Sequence, residues 1–311
     1  RQALEMRGVR TAGMDRMELV QRSMTQSDLP NIYLDAMYKT LTNSYQAEPR
    51  TFLSLGRRVS LSDFRVNHRV KLSEAPSLER RNEAGEFKYG KFSDAKETIQ
   101  LHTYGKKIKL TREMIINDDL GAVVRMMNGF GAAAARLESD TVWTNGVIAN
   151  GAMADTVAIY HATHKNLATG SAIDVSGVAA TRKLLRVQKG LADKDTLNLS
   201  ARFIVCGPDK ETELEQFLSG AFVPTAASSA IPASMRSLQP IVENRISGNA
   251  WYLFGDFNII DTFEYAYLEG QEGVFVASKV DELSGDMELG ARHDFGWAMI
   301  DHRNTAKNPG N

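Results

Sequence analysis

The sequence predicts an α+β chain, and three observations carry that reading. Residues 117–150 hold one long helical period. Residues 59–110, ahead of it, alternate polar and apolar at a period of two. Behind it, helical and strand-like stretches mix before a closing run of strands, without the regular strand–helix alternation of a doubly wound sheet.

The stretch 117–150 is the spine of the reading. Leu120, Val123, Met127, Phe130, Ala134, Leu137 and Thr141 recur at steps of three and four, as on one helix face. Asp118 or Asp119 suits the first turn, and Asn150-Gly151 tolerates the left-handed conformation that ends a helix. At 1.5 Å per residue the rod is roughly 45 Å long. Gly121, Gly129 and Gly131 each cost about 1 kcal/mol relative to Ala. At least one of them is therefore expected to meet a packed backbone or an aromatic ring; a break near Gly129 is the alternative.

Taken in order, 1–50 is polar, with Leu29-Pro30 ending any early helix and Asn31 positioned to cap another through Ile32, Leu34, Met37, Tyr38 and Leu41. Phe64, Val66, His68, Val70 and Leu72 then alternate with Arg65, Asn67, Arg69 and Lys71, and 98–104 alternates likewise. Between these runs lies a charged, turn-rich stretch, so 58–104 reads as a long two-stranded arm with its tip near 82–86. Ile108 and Leu110 belong to a strand, and Thr111 starts a short turn. After the spine, 157–160 reads as a short strand. A helix follows over 178–191, with Leu184, Leu185 and Val187 inside and Arg182, Lys183, Arg186 and Lys189 outside. Residues 203–206 form a buried strand, and Asp209 caps a helix carrying Leu214 and Phe217. Residues 220–240 form a loop, and 251–254, 258–265, 273–280 and 287–300 are strands.

Composition bounds function. The 311 residues carry 43% apolar side chains and a net charge of -1, so no general electrostatic pull toward nucleic acid or membrane exists. The single cysteine, Cys206, excludes an internal disulfide framework, fits a reducing compartment and follows three apolar residues, which marks it as buried and inert. No apolar run reaches the roughly 18 residues of a membrane span. The sequence begins at Arg1 rather than Met, as trimming or a proteolytic step would leave it.

No catalytic or cofactor motif emerges. His161-Ala-Thr-His164 has metal-like spacing only on a helix, and it sits beside turn-prone residues with no following Glu. Gly129-Phe-Gly131 lacks the preceding strand and third glycine of a dinucleotide loop. The basic stripe at 182–189 reads as a solvated helix face. Two alternatives stay open: a metal-dependent hydrolase using Asp155, His161 and His164, and a DNA-binding protein, which the near-neutral charge disfavours.

Four stretches carry a resemblance: LTREMIINDDLGAVVRMMNGFGAAAARLESDTVW (110–143), YHATHKNLATGSA (160–172), EYAYLEGQEGVFVASKVD (264–281) and ARHDFGWAMIDHRNTAKNPG (291–310). Together the chain resembles the major capsid protein of tailed bacteriophages and prophages, in the Mu-like head-subunit group. It is similar in particular to the capsid half of chains made fused to a Clp-like prohead protease. The resemblance implies the tailed-phage capsid fold of the Hong Kong 97 type, with an N-terminal arm (1–57), an extended loop (58–104), a peripheral domain (105–155 and 260–311) and an axial domain (156–259). It implies self-assembly into pentamers and hexamers of an icosahedral shell that encloses double-stranded DNA without reading its sequence, formed in the bacterial host cytoplasm. Portal, decoration and scaffolding or protease proteins are the implied partners, with no cofactor, metal, membrane or enzymatic activity. Within the extended loop, Arg80, Arg81, Glu83, Glu86, Lys88 and Lys91 are the expected inter-subunit charge partners.

Overall fold

The computed structural model describes residues 29–72, 94–111, 120–191, 193, 195–219, 231–280 and 287–311. In chain order, helix α1 (Leu29–Ala47) precedes a single 3-10 turn at Thr51–Ser54 and strands β1 (Arg57–Leu61), β2 (Asn67–Leu72), β3 (Asp94–Ile99) and β4 (His102–Leu110). Next come the spine α2 (Leu120–Val142), α3 (Val175–Arg186), β5 (Ala201–Cys206), α4 (Glu211–Leu218) and a helical turn α5 (Ala233–Arg236). Strands β6 (Gln239–Val242), β7 (Trp251–Gly255), β8 (Phe263–Leu268), β9 (Val274–Val280), β10 (Met287–Met299) and β11 (Thr305–Asn308) complete the chain. The fold is a mixture of helix and strand.

Two compact units share these elements. One comprises the described parts of Arg1–Pro49, Thr103–Leu137 and Gly270–Asp294; the other comprises those of Arg50–His102, Glu138–Glu269 and Phe295–Asn311. In the first unit, β9 pairs antiparallel with Met287–His293 of β10, whose other neighbour is β4. The Thr103 hydroxyl donates to Asp294 at 2.6 Å. Leu41, Tyr45, Met127, Ala135, Val274 and Leu289 form the core of this unit. Gly131 explains how two helices reach that core together. A Cβ there would collide with the Leu41 carbonyl and the Tyr45 amide, so only glycine lets α1 and α2 meet backbone to backbone. Beside it, the Ser44 hydroxyl donates to the Asn128 carbonyl at 2.8 Å. Gly129, two residues earlier, faces open space, and the helix runs through it unbroken.

In the second unit, a four-stranded sheet runs β11-β7-β5-β6. Trp251, Leu253, Ile204 and Cys206 of this sheet pack with Val178 and Leu185 of α3 and Leu214 and Phe217 of α4. β1 lies parallel to β8, and β8 lies antiparallel to Phe295–Met299 of β10. Two fully buried carboxylates impose direction on this otherwise apolar packing. Glu138 accepts from Arg50 at 3.0 Å, while Glu243 accepts from the Thr51 hydroxyl and from Arg245 at 2.9 Å. Trp143 Nε1 donates to Thr51 Oγ1 at 2.9 Å, and Arg245 also reaches Asp140 at 2.5 Å.

Several elements depart from the sequence reading. The spine gives way after Val142 to a π turn at Trp143–Ile148. Gly146 lies there against the indole of Trp297, leaving no room for a Cβ. Asn150, at φ +53°, ends the segment in the left-handed conformation expected of it. Asp118 and Asp119, the expected caps, lie outside the described residues, as do 112–117. The alternating run 98–104 is divided, because β3 ends at Ile99 and β4 starts at His102 in a different sheet. Residues 157–160 form no strand, contributing only an isolated bridge from Ala158 to Ala152. α3 starts at Asp174, whose carboxylate accepts from the Gly177 amide at 2.6 Å, and ends at Arg186. Val187 therefore lies past the helix and is exposed rather than inside. Asp209 caps no helix; it accepts from the Gly248 amide at 3.0 Å. Within 220–240 the described part holds α5 and the start of β6, and 258–262 precedes β8 as a turn built on Asp256. Thr305–Asn308, beyond the strands read from the sequence, supplies β11.

Gly129 and Gly131 of the spine give opposite expectations. Gly129→Ala should stabilise the protein by about 0.5–1 kcal/mol, since it lowers unfolded-state entropy at an open site. Gly131→Ala should destabilise it by about 1–3 kcal/mol, since neither Leu41 nor Tyr45 backbone can yield freely. Denaturant unfolding of the two variants checks the signs.

Candidate functional site: the hairpin root and the histidine loop

β2 and β3 pair antiparallel from Asn67↔Ile99 to Leu72↔Asp94 and form a sheet of their own. An isolated hairpin is marginal in water, so its root must be fastened. Ile99 is buried among Leu61, Leu101, Ala266, Ala298 and Ile300. Gln100 donates to the Phe64 carbonyl at 3.0 Å, and the buried Glu97 accepts from the Ala154 amide at 3.2 Å.

The alternation along β2 is real, but its faces are the reverse of what apolar burial would give. Val66, His68 and Val70 are exposed, whereas Asn67 and Arg69 are half-buried. Phe64, Val66 and Val70 retain 43%, 48% and 52% of their surface. Arg69 turns inward because Glu264 waits there, with Nε 2.6 Å from Oε2. Burial pushes the Glu264 carboxyl above its ordinary range, and the Arg69 guanidinium only partly opposes this. Arg57 pairs similarly with Asp261 at 2.8 Å. The six charged residues expected at the hairpin's contacts, Arg80, Arg81, Glu83, Glu86, Lys88 and Lys91, lie outside the described residues.

Next to the root is the histidine loop. Asn150 closes it by accepting from the Tyr160 amide at 2.7 Å and donating to the Tyr160 carbonyl at 3.1 Å. Asp155 and His164 meet at 2.8 Å, and the His164 ring stacks on His302 with centroids 3.7 Å apart. His161 does not join them; its Nδ1 lies 3.0 Å from the Thr163 hydroxyl. Of the three residues considered for a hydrolase, the structure brings two together and adds His302, for which the sequence carries no local signal. Among the described residues no group of three or more His, Cys, Asp or Glu side chains could hold a metal ion. Cys206 is buried, and burial, with Glu211 and Glu213 adding to it, pushes its thiol up to about 11, the setting of an unreactive cysteine. Three members of the basic stripe have internal partners: Arg186 donates to the Asn198 side chain at 2.8 Å, Arg182 to Ser234 at 3.4 Å and Lys189 to the Asp193 carbonyl at 3.0 Å.

Comparison with known proteins places this geometry. The profile of the family described as "Phage capsid protein" matches residues 95–308. Among solved structures, one from Mycobacterium phage Patience is similar over 92% of this chain and 90% of its own, with TM-score 0.58 and 12% identity. One from Mycobacterium phage Adephagia covers 85% and 91%, with TM-score 0.57 and 9% identity. The procapsid of bacteriophage JBD30 covers 91% and 75%, with TM-score 0.50 and 14% identity. No curated protein matches.

Arg69→Met should lower stability by about 1–3 kcal/mol at neutral pH, because it leaves the Glu264 carboxylate buried without its partner. The loss should shrink as pH falls, since a carboxyl already raised by burial becomes neutral early on acidification. Denaturant midpoints of wild type and variant at neutral and mildly acid pH test both statements.

Proposed function

The chain belongs to the phage capsid protein family, and from that premise we propose that it is the major head subunit of a tailed phage or prophage, assembling as pentamers and hexamers of an icosahedral shell around double-stranded DNA. It is a structural protein of the virion capsid, not an enzyme. The observation that carries the assembly reading is the inverted hairpin. A segment that turns Arg69 of β2 inward and leaves Val70 beside it, with Phe64 and Val66 just ahead of the strand, in water is built to be covered. A second copy of the chain is the occupant that a shell supplies.

The finer assignment rests on the four quoted stretches. They support the Mu-like head-subunit group, the Hong Kong 97 type of capsid fold and production joined to a Clp-like prohead protease. In this reading 1–57 is the N-terminal arm, 58–104 the extended loop, 105–155 with 260–311 the peripheral domain and 156–259 the axial domain. Portal, decoration and scaffolding proteins are the further partners, and the shell forms in the host cytoplasm before it is filled.

Arg80, Arg81, Glu83, Glu86, Lys88 and Lys91 make ion pairs between subunits in this proposal. Reversing the charge of Arg80, Arg81 and Lys88 together should abolish closed shells while the subunit keeps its circular dichroism spectrum and cooperative unfolding. Electron microscopy of the purified protein reads the result. Normal particles from the triple variant would sink the assignment of these residues, and a wild-type chain that stays monomeric at high concentration would sink the assembly reading itself.

A further inference from the structure

The histidine loop contains a protonation arrangement that shell formation does not by itself require. His164 is buried, and both of its ring nitrogens face acceptors. Nδ1 lies 3.0 Å from the Ile159 carbonyl oxygen, and Nε2 lies 2.8 Å from Asp155 Oδ2. A carbonyl has no proton to give. Asp155 accepts from the Val157 amide at 2.9 Å through its other oxygen. Burial acts against its charge, yet the bonds from His164 and Val157 hold its carboxyl below the usual range, so it is a carboxylate at neutral pH. The Ile159 carbonyl also accepts from the Asn166 side chain at 2.8 Å, but a neutral imidazole has one N–H and turns a bare lone pair on one of the two oxygens it faces, whereas the imidazolium donates to both.

The His302 ring lies flat on that cation, 3.7 Å away and 9° from parallel. Two imidazolium rings at this distance repel, so the stack suits one charge and not two. The titratable groups shown facing His164 are Asp155 and His302. Its other contact is neutral, with Gln188 donating to the His164 carbonyl at 2.9 Å. The neighbouring Lys165 reaches instead toward Asp193 at 4.0 Å.

We propose that residues 150–166 form a pH-sensitive latch on the hairpin root, closed while His164 is charged and His302 neutral, and released when His164 gives its second proton to water or His302 takes one up. The mechanical link is short. Glu97 of β3 holds the Ala154 amide, the residue before Asp155. Thr156, just after it, is a β-branched residue at φ +64°, a conformation that persists only while its surroundings enforce it. Losing the His164–Asp155 bond removes one enforcing contact and lets Thr156 relax, which frees the amide that Glu97 grips.

The sign follows from each group. The lowered carboxyl of Asp155 contributes stability above the ordinary carboxylate range and loses it as pH falls through its folded value. The acid side of the latch is therefore set by Asp155, whose protonation removes the charge that the His164 ring faces at 2.8 Å.

Hydrogen exchange of the full chain, corrected for intrinsic pH dependence and followed from about pH 5 to about pH 9, tests this on peptides spanning 94–102 and 150–166. Protection in both should drop at least about tenfold as His164 deprotonates, the loss expected for one charge-assisted hydrogen bond. Asp155→Asn should already lack that protection at neutral pH, and His302→Phe, which keeps a stacked ring, should lose the His302 part of the acid-side fall only. Flat protection across the range in wild type would overturn the proposal. The ¹⁵N shifts of His164 in the wild-type chain provide a reading that needs no variant: a ring with one unprotonated nitrogen at about pH 6.5 overturns it equally. Neither measurement needs a particle, so a failed latch would leave the assembly reading untouched.

Discussion

Two carboxylates taken fully out of water, Glu138 and Glu243, set the terms on which the second unit can fold. A buried charge costs several kcal/mol unless it is paired and hydrogen-bonded, so their partners are obligatory. Arg50, Thr51, Trp143 and Arg245 must converge from three separate stretches of chain to meet that demand. Apolar packing around Trp251, Phe254 and Phe263 supplies bulk driving force, but it is non-directional and tolerates sliding. The polar pairs remove that freedom. They fix where the end of α2 lies against the 3-10 turn and the segment after β6, and they explain why the helix carries Glu138 on a face that hydrophobic periodicity alone would leave to Leu or Ala.

How much of this was legible in the sequence depends on how far away each residue's partner is. The spine was legible because a period of 3.6 is a local property, and the glycine cost at Gly131 pointed to a close approach that α1 does make. The π turn after Val142 was not, and Gly146 within it packs against the indole of Trp297, which no window around Gly146 contains. β2 was legible as a strand but not as a strand facing the wrong way. Only Glu264 decides that Arg69 goes inward. Asp209 looked like a cap by its position, yet Gly248 claimed its carboxylate. β11 was hidden because Asn308-Pro309-Gly310 reads locally as a turn, yet Asn308 pairs with Trp251 of β7 as the last residue of the strand. His302 had no local mark at all, yet it stacks on the His164 ring.

The functional conclusion draws on both scales. Family membership gives the role and likeness to phage structures the fold, while the side chains indicate how one surface of the chain is prepared for it. The hairpin root combines a buried aliphatic residue, an ion pair to β8 and a carboxylate grip on the histidine loop, so its position is determined from beneath. Its outward face has apolar side chains with nothing comparable to do within the unit. Such a division, tightly held on one side and unsatisfied on the other, distinguishes a contact element from a surface loop.

The sheet register also sets a timetable. Arg69 and Glu264 are 195 residues apart, and β1 finds its parallel partner in β8 at a still greater remove. A ribosome adding about 5–20 residues per second needs roughly ten seconds or more to cover that distance. Throughout the interval β2 and β3 can pair only with each other, with Arg69 solvated and β1 lacking its neighbour. The hairpin is thus synthesised long before it is anchored, and a nascent chain holds its apolar face without a fixed base until β8 has emerged.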